Sequence, residues 1–152
     1  MRLLTHVAQR IVNEVSQVIV EEVIAINSDG TIIASSDKSR VGQYHEGGVE
    51  VIQSKEKRMI TLDDVERLKG VKVGLNLPIS FQQQIIDVIG ITGSQPDTVR
   101  YGELIQKMTE LIIQESYAAE QLDAKLRGIE TYVSEWLHSE VLTRSSLNVV
   151  KF

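Results

Sequence analysis

Apolar residues recur at Leu4, Val7, Ile11, Val15 and Val18, the three-and-four spacing that lines one face of an α-helix. Thr5, Gln9, Asn13 and Gln17 fall on the other faces, so the pattern predicts an amphipathic helix from Leu3 to about Val20. The period then changes. Val23-Ile24-Ala25-Ile26 and Thr31-Ile32-Ile33-Ala34 are β-rich runs on either side of Asn27-Ser28-Asp29-Gly30. The Asp29-Gly30 pair predicts a hairpin, because glycine takes positive φ at little cost.

Beyond a polar loop at 37–44, His45-Glu46-Gly47-Gly48-Val49 reads as a helix start, although each glycine costs a helix roughly 1 kcal/mol. Thr61 with Asp64 three residues on has the form of a capping box and predicts a second short helix. Two strands are expected at Val71–Phe81 and Gln84–Thr92, joined by a turn in the glutamines at 82–84. In the first, Leu75, Leu77, Ile79 and Phe81 alternate with Asn76, Pro78 and Ser80. The second is nearly all apolar from Ile85 to Ile91 apart from Asp87, which predicts a central position in the sheet. Ser94 and Pro96 open a long helix through Leu104, Ile105, Met108, Leu111 and Ile112. Farther on, Leu122, Leu126, Ile129, Val133 and Trp136 make about two heptads of a seam, with Gly128 as a candidate interruption. All strands can be joined in antiparallel fashion. The expected class is α+β, an antiparallel sheet flanked by helices, with long amino- and carboxy-terminal helices.

At 152 residues the chain suits one domain and an extra element. It has no cysteine, which excludes disulfides and thiolate metal sites. A formal net charge of −5 provides no general attraction for nucleic acid. Glu21 and Glu22 break the apolar run Val18–Ile26, and Arg10, Asn13 and Glu14 interrupt any signal-peptide core. A cytoplasmic protein without a membrane segment is the expectation.

Three stretches carry candidate chemistry. Arg40-Val41-Gly42-Gln43-Tyr44-His45-Glu46-Gly47-Gly48 puts a guanidinium, an imidazole and two glycines at a helix start. Free backbone N–H groups and partial positive charge there suit a small anion, and Arg40 can clamp a carboxylate. A solvated loop with His45 as a cap is the alternative. In Gly70–Ile79, Asn76 stands among apolar neighbours and needs partners for its amide; it can face a ligand or be satisfied by backbone. Lys72 can supply charge or face solvent. In Ile89–Asp97, Gly90 lets another group approach a strand, but the glycine spacing fits neither a dinucleotide fingerprint nor a P-loop. Catalytic patterns are lacking: His6, His45 and His138 accompany no G-x-S-x-G elbow, and His45-Glu46 is not followed by the second histidine of H-E-x-x-H. Asp63, Asp64 and Glu66 are explained by helix capping more simply than by a metal.

Ser39-Arg40-Val41-Gly42 through His45-Glu46-Gly47, then Gly70–Ile79, then Val88-Ile89-Gly90-Ile91-Thr92-Gly93, continued by Pro96, Val99, Arg100, Tyr101 and Gly102, resemble the sugar-diacid recognition domain of the carbohydrate diacid regulator family. The resemblance covers roughly residues 3–137. It implies a PAS-like sensor at 1–115, followed at 116–152 by a helical linker toward a middle region and a DNA-binding helix-turn-helix that lie beyond this chain. It further implies a transcription regulator whose ligand is a glucarate, galactarate or glycerate type of acid. The family's sensing part is similar to the PAS-like extracytoplasmic domains of citrate and dicarboxylate sensor kinases, which carry Arg-x-x-His on the second hairpin strand, where this chain has Ile33-Ala34-Ser35-Ser36. The expected ligand-binding set is therefore Ser35, Arg40, His45, Gly47, Gly48, Lys72 and Asn76, without cofactor, metal or catalytic residue. Two other readings remain beside it: a dimerisation module that pairs two chains through the amino-terminal helix and the seam from Leu122 to Trp136 and binds nothing, and an enzyme acting on the same acids. A homodimer is expected under the first two.

Overall fold

A computed structural model describes the backbone of residues 5–93 and 96–150. The chain divides after Gln114 into two units. In the first, α1 (Thr5–Ser16) precedes the hairpin β1 (Val23–Ile26) and β2 (Ile32–Ser35). A 3-10 turn (Lys38–Arg40), α2 (Glu46–Ser54), β3 (Arg58–Ile60) and α3 (Leu62–Arg67) follow. The hairpin β4 (Gly74–Phe81) and β5 (Gln84–Thr92) then leads into α4 (Pro96–Val150). The five strands form one antiparallel sheet in the order β2-β1-β5-β4-β3. The apolar β5 is central, as its composition predicts.

The sheet has two differently covered faces, because alternate residues of a strand point to opposite sides. On the front, α2 lies over Ile24, Ile26, Ile32 and Val88, with Val51 buried among them. The two glycines of α2 make this close approach possible. A Cβ on Gly48 would stand 2.8 Å from Ile26, and one on Gly47 would stand 3.0 Å from the amide nitrogen of Asn76. The rear carries Ala25, Ala34, Leu75, Leu77, Ile89 and Ile91, all buried. There α1 packs on β1 and β2 with Val7, Ala8, Ile11, Val12 and Val15 buried. The first turns of α4 pack on β4, where Gly102 abuts Leu75 and Leu77.

Several boundaries depart from the sequence expectations. Leu3, Leu4, Ser94 and Gln95 lie outside the described residues. Helix α1 stops at Ser16, short of the expected Val20, before the β-branched run Val18-Ile19-Val20, whose stiff side chains disfavour helix. The first hairpin turns not on a two-residue Asp-Gly loop but on Asn27, whose Oδ1 accepts from the N–H groups of Asp29 and Thr31 at 3.0 Å each. Gly30 follows at φ +83°. The second hairpin turns on Gln82 and Gln83, both at positive φ. Strand β4 begins at Gly74 rather than Val71, and β3 had no sequence signal in its three residues. Because β3 pairs no farther than Asn76, the outer edge of β4 is free of strand at Pro78, where a residue lacking N–H is tolerated. Its carbonyl accepts instead from Gln106 Nε2 of α4 at 2.6 Å.

In α4, the buried stripe is Thr98, Gly102, Ile105, Thr109 and Ile113, whereas Leu104 and Leu111 are exposed. Two threonines and a glycine hid this stripe from a hydrophobic pattern. In the second unit the helix runs on without interruption at Gly128, and Leu122, Leu126, Ile129, Val133 and Trp136 are exposed.

Candidate functional site: a buried polar recess on the front of the sheet

The first turn of α2 meets the front of β4 and β5 at a small recess lined by Ile24, Arg40, His45, Lys72, Gly74, Asn76, Gly90, Ile91 and Thr92. Its volume of about 10 Å³ is roughly the room of one water molecule. Four residues singled out from the sequence, Arg40, His45, Lys72 and Asn76, thus come together from a 3-10 turn, a helix cap, a loop and a strand.

Asn76 is 3% exposed and its Nδ2 has no hydrogen-bond partner. Register places it between Gly90 of β5 and Arg58 of β3. A Cβ at Gly90 would come within 2.7 Å of the Asn76 carbonyl oxygen, so glycine opposite is what lets the amide lie across the sheet. An unmet buried donor costs about 1–3 kcal/mol, and the adjoining recess has room for one water or a ligand group to meet it.

His45 is the N-cap of α2. Its Nδ1 accepts from the Gly48 N–H at 3.0 Å. Nε2 therefore carries the proton of the neutral ring. Burial, helped by the nearby Arg40 charge, pushes its pKa down to about 4. At neutral pH the ring is an uncharged donor. The same bond corrects one sequence expectation: the Gly48 N–H is taken by its own cap. Glu46 N–H is taken too, by Lys69 O at 3.0 Å, while Glu46 Oε2 accepts from Lys69 N at 2.8 Å. Gly47, second in the helix, is the early amide that gains no intrahelical acceptor.

Arg40 is buried and already engaged. Its Nη1 meets Glu22 Oε1 at 2.7 Å and its Nη2 donates to Gly70 O at 2.7 Å. Lys72 Nζ reaches the other Glu22 oxygen at 2.9 Å. Glu22 is thus the residue that sequence reasoning missed. Its signal was present, an acidic pair interrupting an apolar run, but it served only to exclude a membrane span. Burial raises the Glu22 carboxyl pKa, but hydrogen bonds and charge from Arg40 and Lys72 outweigh that and hold it below the ordinary value. Asp37 also feels both cations, so two cations face two carboxylates beside the recess, and Glu22 is the one hydrogen-bonded to both. Ser35 does not line it: it lies opposite Ile24 on β2, its Oγ accepting from Asp37 N–H at 3.0 Å.

The acidic residues at 63–66 behave as caps. Asp64 closes a capping box with Thr61 and pairs with Arg58 and Arg67. Arg58 also pairs with Glu50. Among the described residues no cluster of three metal-ligating side chains occurs, and no helix is long and apolar enough to cross a membrane.

An antiparallel sheet with terminal helices behind and a polar recess under a front helix defines a GAF-like fold. A solved GAF domain from an Acinetobacter phosphoenolpyruvate-protein phosphotransferase superposes with a TM-score of 0.54 at 14% identity, covering 75% of this chain and 84% of that one. More particularly, the chain belongs to the family described as "Putative sugar diacid recognition", whose model matches residues 3–136. It is 43% identical over 111 residues to the uncharacterized protein YsfB of Bacillus subtilis, covering 73% of this chain and 30% of that protein. It is 34% identical over 127 residues to the carbohydrate diacid regulator of Escherichia coli, covering 81% of this chain and 32% of that protein. An uncharacterized protein of Haemophilus influenzae is 30% identical over 155 residues, covering all of this chain and 42% of that protein. The chain spans between about a third and two fifths of the length of these relatives.

Proposed function

We propose that this domain is the ligand sensor of a cytoplasmic transcription regulator, that it binds a small sugar diacid or hydroxy acid in the front recess, and that it catalyses no reaction. The observation that carries the reading is Asn76 Nδ2, buried without a partner beside Arg40, His45 and Lys72. In the bound state Arg40 and Lys72 hold a carboxylate, the Gly47 N–H at the α2 start adds a donor, and Asn76 with the neutral His45 reads hydroxyls. Ser35 and Gly48, both expected in the ligand set, have their polar groups spent nearby and serve the shape of the site. Catalysis is disfavoured because His45, the sole histidine at the recess, spends Nδ1 on its cap and leaves no free base.

A recess of about 10 Å³ is far smaller than a six-carbon acid, so binding requires opening. The observed affinity is then lowered by the fraction of molecules that are open. DNA contact, given the net charge of −5, belongs to a part of the regulator outside this chain. Thermal melting with glucarate, galactarate and glycerate tests the reading. At a hundredfold excess over Kd the true ligand should raise Tm by about 5 °C or more. Failure of all three to shift Tm at about 10 mM would remove the sensor assignment.

The exposed seam from Leu122 to Trp136 supports a second role, pairing two copies of the chain through their carboxy-terminal helices. Five large apolar side chains open to solvent at heptad spacing are a pattern that a partner helix covers. Light scattering of the intact chain should give a dimer mass, and Leu126→Glu with Ile129→Glu should give a monomer. An unchanged mass in the double variant rules out this seam.

A further inference from the structure

Glu22 holds the two cations of the recess, and the rest of its environment shows how it can let go. Each carboxylate oxygen meets one cation, Oε1 with Arg40 and Oε2 with Lys72. The Glu22 backbone is fastened separately. Its N–H donates to Thr92 Oγ1 at 3.0 Å, and its carbonyl accepts from Thr92 N–H at 2.9 Å. Arg40 has a second bond, from Nη2 to Gly70 O, that does not involve Glu22. Lys72 is half exposed. Release of the Glu22 carboxylate therefore frees both cations without unpairing β1 from β5. The preceding residue, Glu21, stands in a bend just ahead of β1. Glu21 Oε1 accepts from the Tyr101 hydroxyl of α4 at 2.7 Å, a bond that leads the causes holding the Glu21 carboxyl below its ordinary pKa.

We propose that Glu22 is an internal stand-in for the ligand's carboxylate: the incoming acid displaces it from Arg40 and Lys72, and the displacement reaches α4 through Glu21 and Tyr101. The inference rests on the acid-sensing reading and adds its regulation. Exchanging one carboxylate for another on the same two cations is nearly even in charge terms. A bare monoacid therefore gains little by entering. An acid with hydroxyls gains the Asn76, His45 and Gly47 donors, which Glu22 does not use. Glu22 thereby sets specificity, because the ligand must outbid a tethered competitor. Its departure releases Arg40 and Lys72, two of the residues that line a recess with the volume of about one water. Because Glu21 and Glu22 are consecutive, any shift of the Glu22 backbone on release strains the Glu21 bond to α4, and the ligand then acquires the different affinities for two states that a switch requires.

Acetate is a probe that does not depend on the natural ligand. In Glu22→Ala the two cations lose their carboxylate. About 50 mM acetate should then raise Tm above an equal concentration of chloride, whereas the wild-type protein should show no such difference. Adding Arg40→Gln should abolish the rescue. No acetate-specific gain in Glu22→Ala, or an equal gain in the wild type, overturns the proposal. If Glu22→Ala does not fold, Glu22→Gln serves. Its affinity by calorimetry for whichever of glucarate, galactarate or glycerate binds the wild type should rise about fivefold or more, and an equal or lower affinity overturns the proposal. Sugar acids that fail with every form of the protein count against the sensor reading, while the acetate arm still judges Glu22. The link to α4 is read by hydrogen exchange at residues 98–106, which should speed up in Glu22→Ala and slow again with acetate. Tyr101→Phe in the same background should keep the acetate gain in Tm and lose the exchange response. A response that survives in Tyr101→Phe removes the proposed route.

Discussion

The two faces of the sheet obey different rules. On the rear, α1 and the first turns of α4 cover Ala25, Leu75, Leu77, Ile89 and Ile91, with mainly apolar partners from both helices. On the front, α2 covers an apolar cluster at one end and, at the other, an arginine, a histidine and an asparagine that are all buried. Rear-face residues are chosen for burial, which contributes about 25 cal/mol per Å² of apolar surface. The front end of β4 gives up part of that gain, since Asn76 stands where an apolar side chain would pack without a desolvation cost. The difference separates stability from recognition. Where a fold keeps a polar group in a buried place without an internal partner, a partner from outside is the physical reason to keep it.

Cutting the rear should produce the largest effect on stability. Ile89→Ala, at the buried centre of β5, should lose about 3 kcal/mol by denaturant unfolding, while the molecules that remain folded bind acid with unchanged affinity. A matching loss of affinity would mean that the two faces are not separable.

Next in size is acid sensitivity at the front. His45 has a folded pKa of about 4, lowered first by burial and then by Arg40. The unfolded chain takes up the proton near 6.5, so the unfolded state binds more protons between these values. Stability is complete above the unfolded value and falls as pH drops through the window from 6.5 to 4. From pH 7.5 to 5 the loss from this group is about 2 kcal/mol. His45→Asn keeps an N-cap side chain without the titration. Unfolding curves of the variant should lack that share of the acid dependence, and identical slopes for both proteins would show that His45 does not cause it.

The smallest change in stability should accompany the largest change in function. Asn76→Leu replaces an unmet buried amide by an apolar side chain of similar volume. Stability should stay within about 1 kcal/mol of the original or rise, and affinity for the sugar acid should fall by tenfold or more. A variant that is strongly destabilised yet binds normally would return Asn76 to a structural role.

Legibility in the sequence follows the same division. Alternation in Leu75–Phe81 and the apolar run in β5 announced strands, since period-two burial is written in the order of side chains. His45 and Thr61 announced helix starts, since a cap acts across three residues. β3 was invisible because three residues hold no period, and the buried stripe of α4 escaped a hydrophobic pattern because Thr98, Gly102 and Thr109 belong to it. At the site, Arg40, His45, Lys72 and Asn76 were recognised as candidates one stretch at a time. They were also placed in one ligand set; the hold of Glu22 on two of them across 18 and 50 residues of chain was not foreseen.

What the sequence determined by itself was local: the periods, caps and turns that make α1, the two hairpins, α2 and α4, and the residue types able to receive an acid. The tertiary structure alone decided which polar groups are already satisfied and which are left waiting. Short-range patterns record how a residue sits against its own neighbours. Whether a buried donor finds an acceptor depends on strands and loops brought together from distant parts of the chain, and no local pattern carries that information.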